Sequence, residues 1–262
     1  MLNLNQIYCG NAVDLLKEID DKTIDLVVTS PPYDNLRKYN GMGSGWNHDT
    51  FKIIANELMR VLKDGGVIVW NVYDKTENGS KTGTSLKQCL YFQEIGLNIN
   101  DYMIWKKTNP CPVVQQPRYN PCFEFMWILS KGKPKTFNPI KVPCKCAGQK
   151  YDSTCKNIDG ESGRKHKSFN INNEKTDYNV WEFAVAQNKT EHSAVFPYEL
   201  PYRHIKSWSN EGDIILDPFI GSGTTALAAI DLKRNFIGFD ISPEYVNLSK
   251  SQITERQNLI QL

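Results

Sequence analysis

A short segment after a buried apolar run carries side chains suited to chemistry on a planar amine. The run is Leu26-Val27-Val28, and the segment that follows it is Thr29-Ser30-Pro31-Pro32-Tyr33. Because adjacent prolines lack N–H donors and cannot continue a strand, the Ser30 hydroxyl and nearby carbonyls face outward as acceptors. Tyr33 adds an aromatic surface on which a base can stack. The segment predicts a site for a flat ligand with an amino group, although an ordinary Pro-Pro loop has the same composition.

A second segment has the composition of a cofactor loop. It is Asp217-Pro218-Phe219-Ile220-Gly221-Ser222-Gly223-Thr224-Thr225, and its glycines let backbone approach a ligand at a helix N-terminus. Asp240 follows Gly221 by 19 residues, the spacing of an acid that binds ribose hydroxyls. Asp217 would repel a pyrophosphate but suits an ammonium. A ribose together with an amino acid indicates S-adenosylmethionine.

The same glycines leave a nicotinamide or flavin enzyme as an alternative. The pattern Gly221-x-Gly223-x-x-Ala226 satisfies a relaxed dinucleotide fingerprint. Only 36 residues follow Ala226, which is too few for the rest of a dinucleotide-binding domain unless the fold is permuted.

Composition and charge limit the class of protein. The 262 residues are 40% hydrophobic, with no apolar run near the roughly 18 residues of a membrane span and no signal sequence, so we expect a cytoplasmic protein. Seven scattered cysteines indicate reduced thiols. The stretch 131–189 holds 12 basic and 6 acidic residues, whereas its flanks are near neutral. This basic insertion favours a polyanion surface, although a solvated loop has the same pattern.

The flanking blocks alternate strand and helix patterns, which predicts an α/β fold with a mostly parallel central sheet and helices on both faces. One helix should be capped at Asp49-Thr50 and end at Gly65-Gly66, and the last should open at Ser242-Pro243-Glu244. The other predicted helices cover 85–95 and 224–231, and the predicted strands cover 26–28, 67–70, 97–105, 123–129, 213–217 and 236–239.

The two segments, in this order, resemble the catalytic and cofactor motifs of the permuted β class of S-adenosylmethionine-dependent DNA amino-methyltransferases, which act in restriction–modification systems. The resemblance implies a circularly permuted, Rossmann-like methyltransferase fold. It divides the chain into a catalytic part at 1–133, an inserted target-recognition region at 134–185 and a cofactor-binding part at 186–262. The segments around Asn11 and His192 are also similar to that class, but Asn11 stands for its usual Asp and Ser193 for its usual Pro.

The resemblance implies three sets of site residues. The catalytic residues are Ser30, Pro31, Pro32 and Tyr33. The cofactor-binding residues are Asn11, Ala12, Thr29, His192, Ser193, Phe196, Asp217, Pro218, Phe219, Gly221, Ser222, Gly223, Thr224 and Asp240. The DNA-binding residues are Arg37, Lys38, Arg118, Arg164, Lys165 and Lys167.

The implied reaction is direct methyl transfer to the N4 amine of cytosine in double-stranded DNA, at a specific site, after base flipping and without a metal. Ser30 favours cytosine, and the N6 amine of adenine is the alternative. A non-catalytic DNA-binding homologue and an RNA or protein-amide methyltransferase stay open. The partners expected beside DNA are a cognate restriction endonuclease and a second copy of the chain, with no membrane.

Two cysteine patterns could carry other chemistry. Pro121-Cys122 is similar to the nucleophile of ring-carbon cytosine methyltransferases, but the remaining motifs of that class are missing. Cys144-x-Cys146, with Cys155 and His166, could hold zinc, but the spacing fits no standard template. We interpret these cysteines as packing residues and free thiols.

Overall fold

The computed structural model describes residues 2–32, 46–110, 117–155, 165–185 and 197–260, with backbone alone at 152–155, 165–167 and 260. Its α-helices are α1 (Ala12–Leu15), α2 (His48–Val61), α3 (Thr84–Glu94), α4 (Glu199–Trp208), α5 (Thr224–Asp231) and α6 (Pro243–Ile260). Its strands are β1 (Gln6–Cys9), β2 (Ile24–Thr29), β3 (Leu62–Val72), β4 (Thr76–Glu77), β5 (Ser80–Lys81), β6 (Asn98–Lys107), β7 (Phe123–Ser130), β8 (Lys141–Pro143), β9 (Lys150–Cys155), β10 (Lys165–Asn170), β11 (Glu174–Thr176), β12 (Val180–Phe183), β13 (Ile214–Asp217) and β14 (Asn235–Asp240).

Eight of the described strands form one large sheet with the order β1-β14-β13-β2-β3-β7-β6-β12. Pairing is parallel from β1 across to β3 and again between β6 and β12, and it is antiparallel on both sides of β7. The strands β2, β3 and β13 are apolar runs that are buried on both faces, as a covered parallel sheet requires.

Helices cover both faces of this sheet. On one face, Trp70 of β3 packs against Phe51 of α2 and Phe92 of α3, with ring centroids 5.8 and 5.2 Å apart. Asn71 follows Trp70 and therefore faces the other side, as does its register partner Met126. On that side His204 of α4 lies 3.3 Å from the Met126 sulfur. The predicted α/β class is confirmed.

The helix α2 differs from its prediction at both ends. Its cap is Asn47, whose side chain accepts a hydrogen bond from the Thr50 N–H at 2.9 Å, so the predicted Asp49-Thr50 cap was wrong by two residues. The helix ends at Val61, and the predicted stop at Gly65-Gly66 lies inside β3. A Cβ on Gly66 would lie 2.9 Å from the Asp25 carbonyl oxygen, so this glycine lets β3 pass close to β2.

Residues Pro139–Tyr178 form a second compact unit, apart from Met1–Asn138 and Asn179–Leu262. In it β8 pairs with β11 and β9 pairs with β10, both antiparallel. Backbone hydrogen bonds from Gly148 to Ile171 and from Ile171 to Gln149, at 3.0 and 2.9 Å, join the two ribbons into one arm. The unit is narrower than the predicted region 134–185, because β12 belongs to the large sheet. In the part of the chain that the structure describes, no helix is long and apolar enough to cross a membrane.

Candidate active site

The carboxyl ends of four neighbouring parallel strands bring the two motifs together. Ser30 follows β2, Asp217 ends β13, Asp240 ends β14 and Asn11 follows β1. Cys9 at the end of β1 pairs with Asp240, and the Gly10 N–H donates to the Asp240 carbonyl at 2.9 Å. Ligands of open α/β sheets bind at this edge. The strand order of the sheet therefore brings the two motifs to one site, although they lie far apart in the chain.

The Asp217 carboxylate joins the two motifs directly. One oxygen accepts the Thr29 hydroxyl at 2.6 Å, and the other accepts the Thr225 hydroxyl at 2.6 Å. The Phe219 N–H adds a bond of 3.1 Å to the first oxygen. Since Thr29 immediately precedes Ser30, this buried contact fixes the start of the catalytic segment against the cofactor loop.

Burial shifts the titration of this acid. Asp217 is 1% exposed, and the loss of water raises its pKa to about 6. The hydrogen bonds from Thr225, Thr29 and Phe219 act in the opposite direction because they favour the charged form. These donors therefore help to keep the carboxylate ionised at neutral pH.

Asp240 lies at the end of β14 and is half-buried. One oxygen accepts the Gly221 N–H at 3.1 Å and the other accepts the Ser242 N–H at 2.8 Å. Burial raises the pKa of Asp240, and these two bonds lower it. Because a carboxylate offers about four acceptor positions, this one retains capacity for two hydroxyl groups.

The loop between β13 and α5 depends on its glycines. Gly221 and Gly223 have φ values of +53° and +90°, in the region that favours glycine. A Cβ on Gly223 would also lie 2.9 Å from the Ser249 Cβ of α6. The other predicted cofactor residues of the loop share its buried or half-buried setting and are Pro218, Phe219, Ser222 and Thr224.

Asn11 and Ala12 begin the short helix α1. The Asn11 side chain accepts the Val13 N–H at 2.9 Å and so caps this helix, and Ala12 is 6% exposed. The side-chain oxygen of Asn11 thus has a backbone partner at the edge where the cofactor is expected.

A buried polar cluster on β3, β6 and β7 was not assigned a role from the sequence. The Glu124 carboxylate accepts the Asn71 amide and the Lys107 ammonium, each at 2.7 Å, and its side chain is 7% exposed. Asn71 follows Trp70, the register partner of Thr29, so the cluster begins one strand away from Ser30. The charge of Glu124 inside an apolar strand pattern was the signal that could have found it.

Thr225 is the other residue that the sequence reasoning left out of the site. Its hydroxyl donates to Asp217, although the predicted cofactor residues of this loop end at Thr224. The signal was its place as the last letter of the cofactor motif.

Several predicted residues lie outside the described part of the chain. They are Tyr33, Arg37, Lys38, Arg164, His192, Ser193 and Phe196. Lys165 and Lys167 are described by backbone alone, in β10. The Arg118 guanidinium donates to the Gly79 carbonyl at 2.8 Å and to the Thr76 hydroxyl at 3.3 Å, and its predicted contact with DNA stays a prediction. In the described ranges no three His, Cys, Asp or Glu side chains could hold a metal ion, and the side chains of Cys155 and His166 lie outside them.

Comparison with known proteins identifies the family. The profile of the DNA methylase family matches residues 24–251. The chain belongs to this family. The identification as an amino-group DNA methyltransferase is confirmed, and with it the cofactor expected from the sequence, S-adenosylmethionine.

Two relatives are similar in sequence to this DNA methylase over nearly its whole length. It is 43% identical over 247 residues to the orphan methyltransferase M.BamHII of Bacillus amyloliquefaciens, covering 90% of this chain and 91% of that protein. It is 30% identical to the type II methyltransferase M.HpaI of Haemophilus parainfluenzae, covering 97% of this chain and 75% of that protein.

Solved structures share the fold of this DNA methylase. The PvuII DNA methyltransferase, described as cytosine-N4-specific, has a TM-score of 0.69 at 20% identity, with 98% of this chain and 95% of that chain covered. The M1.HpyAVI–SAM complex has a TM-score of 0.64 at 24% identity, with 94% and 98% covered.

Proposed function

We propose that this chain methylates the N4 amine of cytosine at a specific site in double-stranded DNA, with S-adenosylmethionine as the methyl donor. The observation that supports the site is the 2.6 Å bond between Thr29 and Asp217. It couples the segment suited to a planar amine with the segment suited to a ribose and an amino acid, 188 residues further along the chain.

The residues at the sheet edge fit this cofactor. S-adenosylmethionine, when bound, supplies an electrophilic methyl group on a sulfonium. The carboxylate of the half-buried Asp240 can accept the ribose hydroxyls. Asp217 provides a fixed negative charge near the amino-acid portion while its own oxygens hold Thr29 and Thr225. Gly221, where an added Cβ would meet no described heavy atom within 4 Å, leaves the loop without a side chain where it would approach the ligand.

Ser30 and the Pro31 carbonyl are proposed to accept the two hydrogens of the target amine. An exocyclic amine is a weak nucleophile because its lone pair is delocalised into the ring. Two acceptors favour a pyramidal nitrogen with the lone pair directed at the methyl group, so that positioning and electrostatics provide the acceleration. The base reaches this site by flipping out of the duplex, where Tyr33 is proposed to stack on it.

The choice of cytosine rests on Ser30, since members of this class with serine at that position mostly methylate cytosine and those with Asp or Asn mostly methylate adenine. The direct test incubates the protein with methyl-labelled S-adenosylmethionine and mixed-sequence duplex DNA, followed by digestion to nucleosides. We expect the label in N4-methylcytosine. Label in N6-methyladenine would select the alternative target, and label in RNA or protein alone would overturn the proposal for DNA.

Replacing Ser30 by alanine tests the catalytic assignment. We expect Ser30→Ala to lower kcat by about 100-fold or more, because one acceptor at the reacting group is lost. The dissociation constant for S-adenosylmethionine, measured by calorimetry, should stay within about twofold of the wild type. Ser251→Ala, on the exposed part of α6, is the matched control. Full activity in Ser30→Ala would contradict the assignment.

The predicted target-recognition region at 134–185 is proposed to recognise the DNA. Its lysines suit contacts with phosphate groups. One relative is called an orphan methyltransferase and the other a type II methyltransferase, so these names do not decide whether a cognate restriction endonuclease exists. The endonuclease and a homodimer both stay predictions for this chain.

A further inference from the structure

The arm at Pro139–Tyr178 has the composition of a surface that is covered by a polyanion. It holds eight basic and five acidic residues, a balance of +3, compared with +2 for the whole chain. Among its described side chains none is buried, so the arm has no hydrophobic core of its own there. Lys141, Lys145 and Lys150 are all exposed.

One aromatic pair is exposed on this arm. Tyr151 of β9 and Phe169 of β10 are directly opposed in the antiparallel register, and their ring centroids lie 5.4 Å apart. They are 48% and 52% exposed. Side chains alternate along a strand, so the pair shares one face of the ribbon while Lys150 and Asn170 lie on the other. An exposed apolar pair among polar and basic side chains has the character of an interaction surface.

We infer that the β9–β10 ribbon enters the major groove of duplex DNA and that Tyr151 and Phe169 are specificity-determining contacts to base edges. A two-stranded β-ribbon fits the width of the major groove, and apolar side chains there contact the thymine methyl group. The exposed lysines of the arm reach the flanking phosphates, where they give affinity without sequence information. The inference rests on the proposed function, because it assigns residues to the recognition of the DNA that the enzyme methylates.

The test uses the full chain with Tyr151 and Phe169 both changed to alanine. The matched control is Ser168→Ala with Asn170→Ala, on the opposite face of the same ribbon. A library of random-sequence duplexes is methylated, and the modified sites are sequenced. We expect the aromatic variant to raise KM for DNA roughly tenfold or more and to relax the preferred sequence, with kcat at saturating DNA and the S-adenosylmethionine affinity within about twofold of the wild type.

Salt dependence separates base contacts from phosphate contacts. The aromatic variant should keep the wild-type slope of log affinity against log salt concentration, measured by gel shift, because it removes no charge. Lys145→Ala, at an exposed position of the arm outside the ribbon, should reduce that slope by about 0.9 and weaken all sequences alike.

Three results would overturn the inference. The first is an unchanged KM and site preference in the aromatic variant, and the second is equal losses in the control. The third is a wild-type dimer that dissociates in the aromatic variant, because the pair would then face a second copy. A wild type that transfers no methyl group would contradict the proposed function. The gel shift measures DNA binding without methyl transfer, so it would still test the ribbon's contacts in that case.

Discussion

Asp217 has both carboxylate oxygens occupied by hydroxyl groups from two separate parts of the chain. Thr29 comes from the end of β2, and Thr225 from the first turn of α5. A buried ionised acid is costly unless its lone pairs are satisfied, and here three donors satisfy them. In the proposed function this acid acts on the cofactor mainly through its charge and through the loop that it holds, because three of its roughly four acceptor positions are already occupied.

The pH dependence of stability should report this residue. Burial raises the pKa of Asp217 to about 6, whereas an aspartate in an unfolded chain titrates near 3.9. The folded protein then binds more protons between these values, so the contribution of Asp217 to stability is complete below about pH 4 and is lost as the pH rises through 6. We expect Asp217→Asn to remove this loss. Between pH 5 and pH 7.5, the free energy of unfolding of the wild type should fall by about 1–2 kcal/mol relative to that of the variant.

The control for this measurement is Asp64→Asn. Asp64 is exposed, and a hydrogen bond from Lys22 lowers its pKa, so its contribution is already constant above pH 5. Urea unfolding of all three proteins at both pH values gives the comparison. A pH dependence of Asp217→Asn equal to that of the wild type would show that Asp217 titrates normally in the fold.

Sequence reasoning reached the residue types of this site but not their contacts. Gly221, Gly223 and Asp240 were predicted from spacing, because a glycine turn followed by an acid is a local pattern. The partners of Asp217 were not predictable in that way, since the Thr29 hydroxyl comes from a segment 188 residues away. Glu124 is a charged residue in an otherwise apolar strand pattern, and only the fold shows Lys107 and Asn71 beside it.

At the scale of elements, the loop between β13 and α5 owes its shape to two glycines in different surroundings. Gly221 has φ +53°, and a Cβ added there would meet open space, with no heavy atom of the described residues within 4 Å. Gly223 has φ +90° and faces Ser249 of α6. Gly221 is needed only for its left-handed backbone conformation. Gly223 is needed for its backbone conformation and also for the close approach of α5 to α6.

This difference predicts unequal costs for the same substitution. Gly221→Ala should lower the free energy of unfolding by about 1–2 kcal/mol, the cost of an L-residue in the left-handed region. Gly223→Ala adds overpacking against Ser249, so its loss should be about 1–3 kcal/mol larger. Urea unfolding at pH 7.5 measures both, and each variant is the control for the other. Equal losses would mean that α6 moves aside at no cost.

The elements that the sequence predicted well are those with a strong apolar period. The helix α5 and the strands β2, β7 and β13 were all placed within a few residues, because each is buried in the sheet or against it. The strand β1 and the short strands of the arm were missed. Polar and exposed side chains dominate the arm, so its pairing comes from backbone hydrogen bonds that leave no hydrophobic pattern.

At the scale of the whole molecule, the large sheet is built from segments at both ends of the chain. The strands β1, β2 and β3 come before the arm, whereas β13 and β14 come after it and lie between β1 and β2. The proposed catalytic and cofactor residues that the structure describes all lie in Met1–Asn138 and Asn179–Leu262. The arm is thus an insertion that the sheet does not need for its pairing.

The ends of the arm allow it to be removed cleanly. The Asp177 N–H donates to the Ile140 carbonyl at 2.9 Å, and the next pair inward is Thr176 with Lys141. Because Ile140 and Asp177 are already hydrogen-bonded neighbours, a two-residue Asn-Gly turn can replace residues 141–176 with little strain.

We expect the excised protein to unfold cooperatively and to bind S-adenosylmethionine within about threefold of the wild type, since the proposed cofactor residues that the structure describes all lie in the other unit. Its kcat/KM on duplex DNA should fall by about 1,000-fold or more, the typical gap between specific and non-specific DNA affinity. The control is a second variant in which a Gly-Ser linker as long as the removed segment replaces residues 141–176. It should behave like the excised protein, because neither variant retains the ribbon. Site-specific methylation by either variant would place target recognition outside the arm. Loss of cofactor binding in the excised protein, with binding retained in the linker control, would instead show that the new turn distorts the sheet.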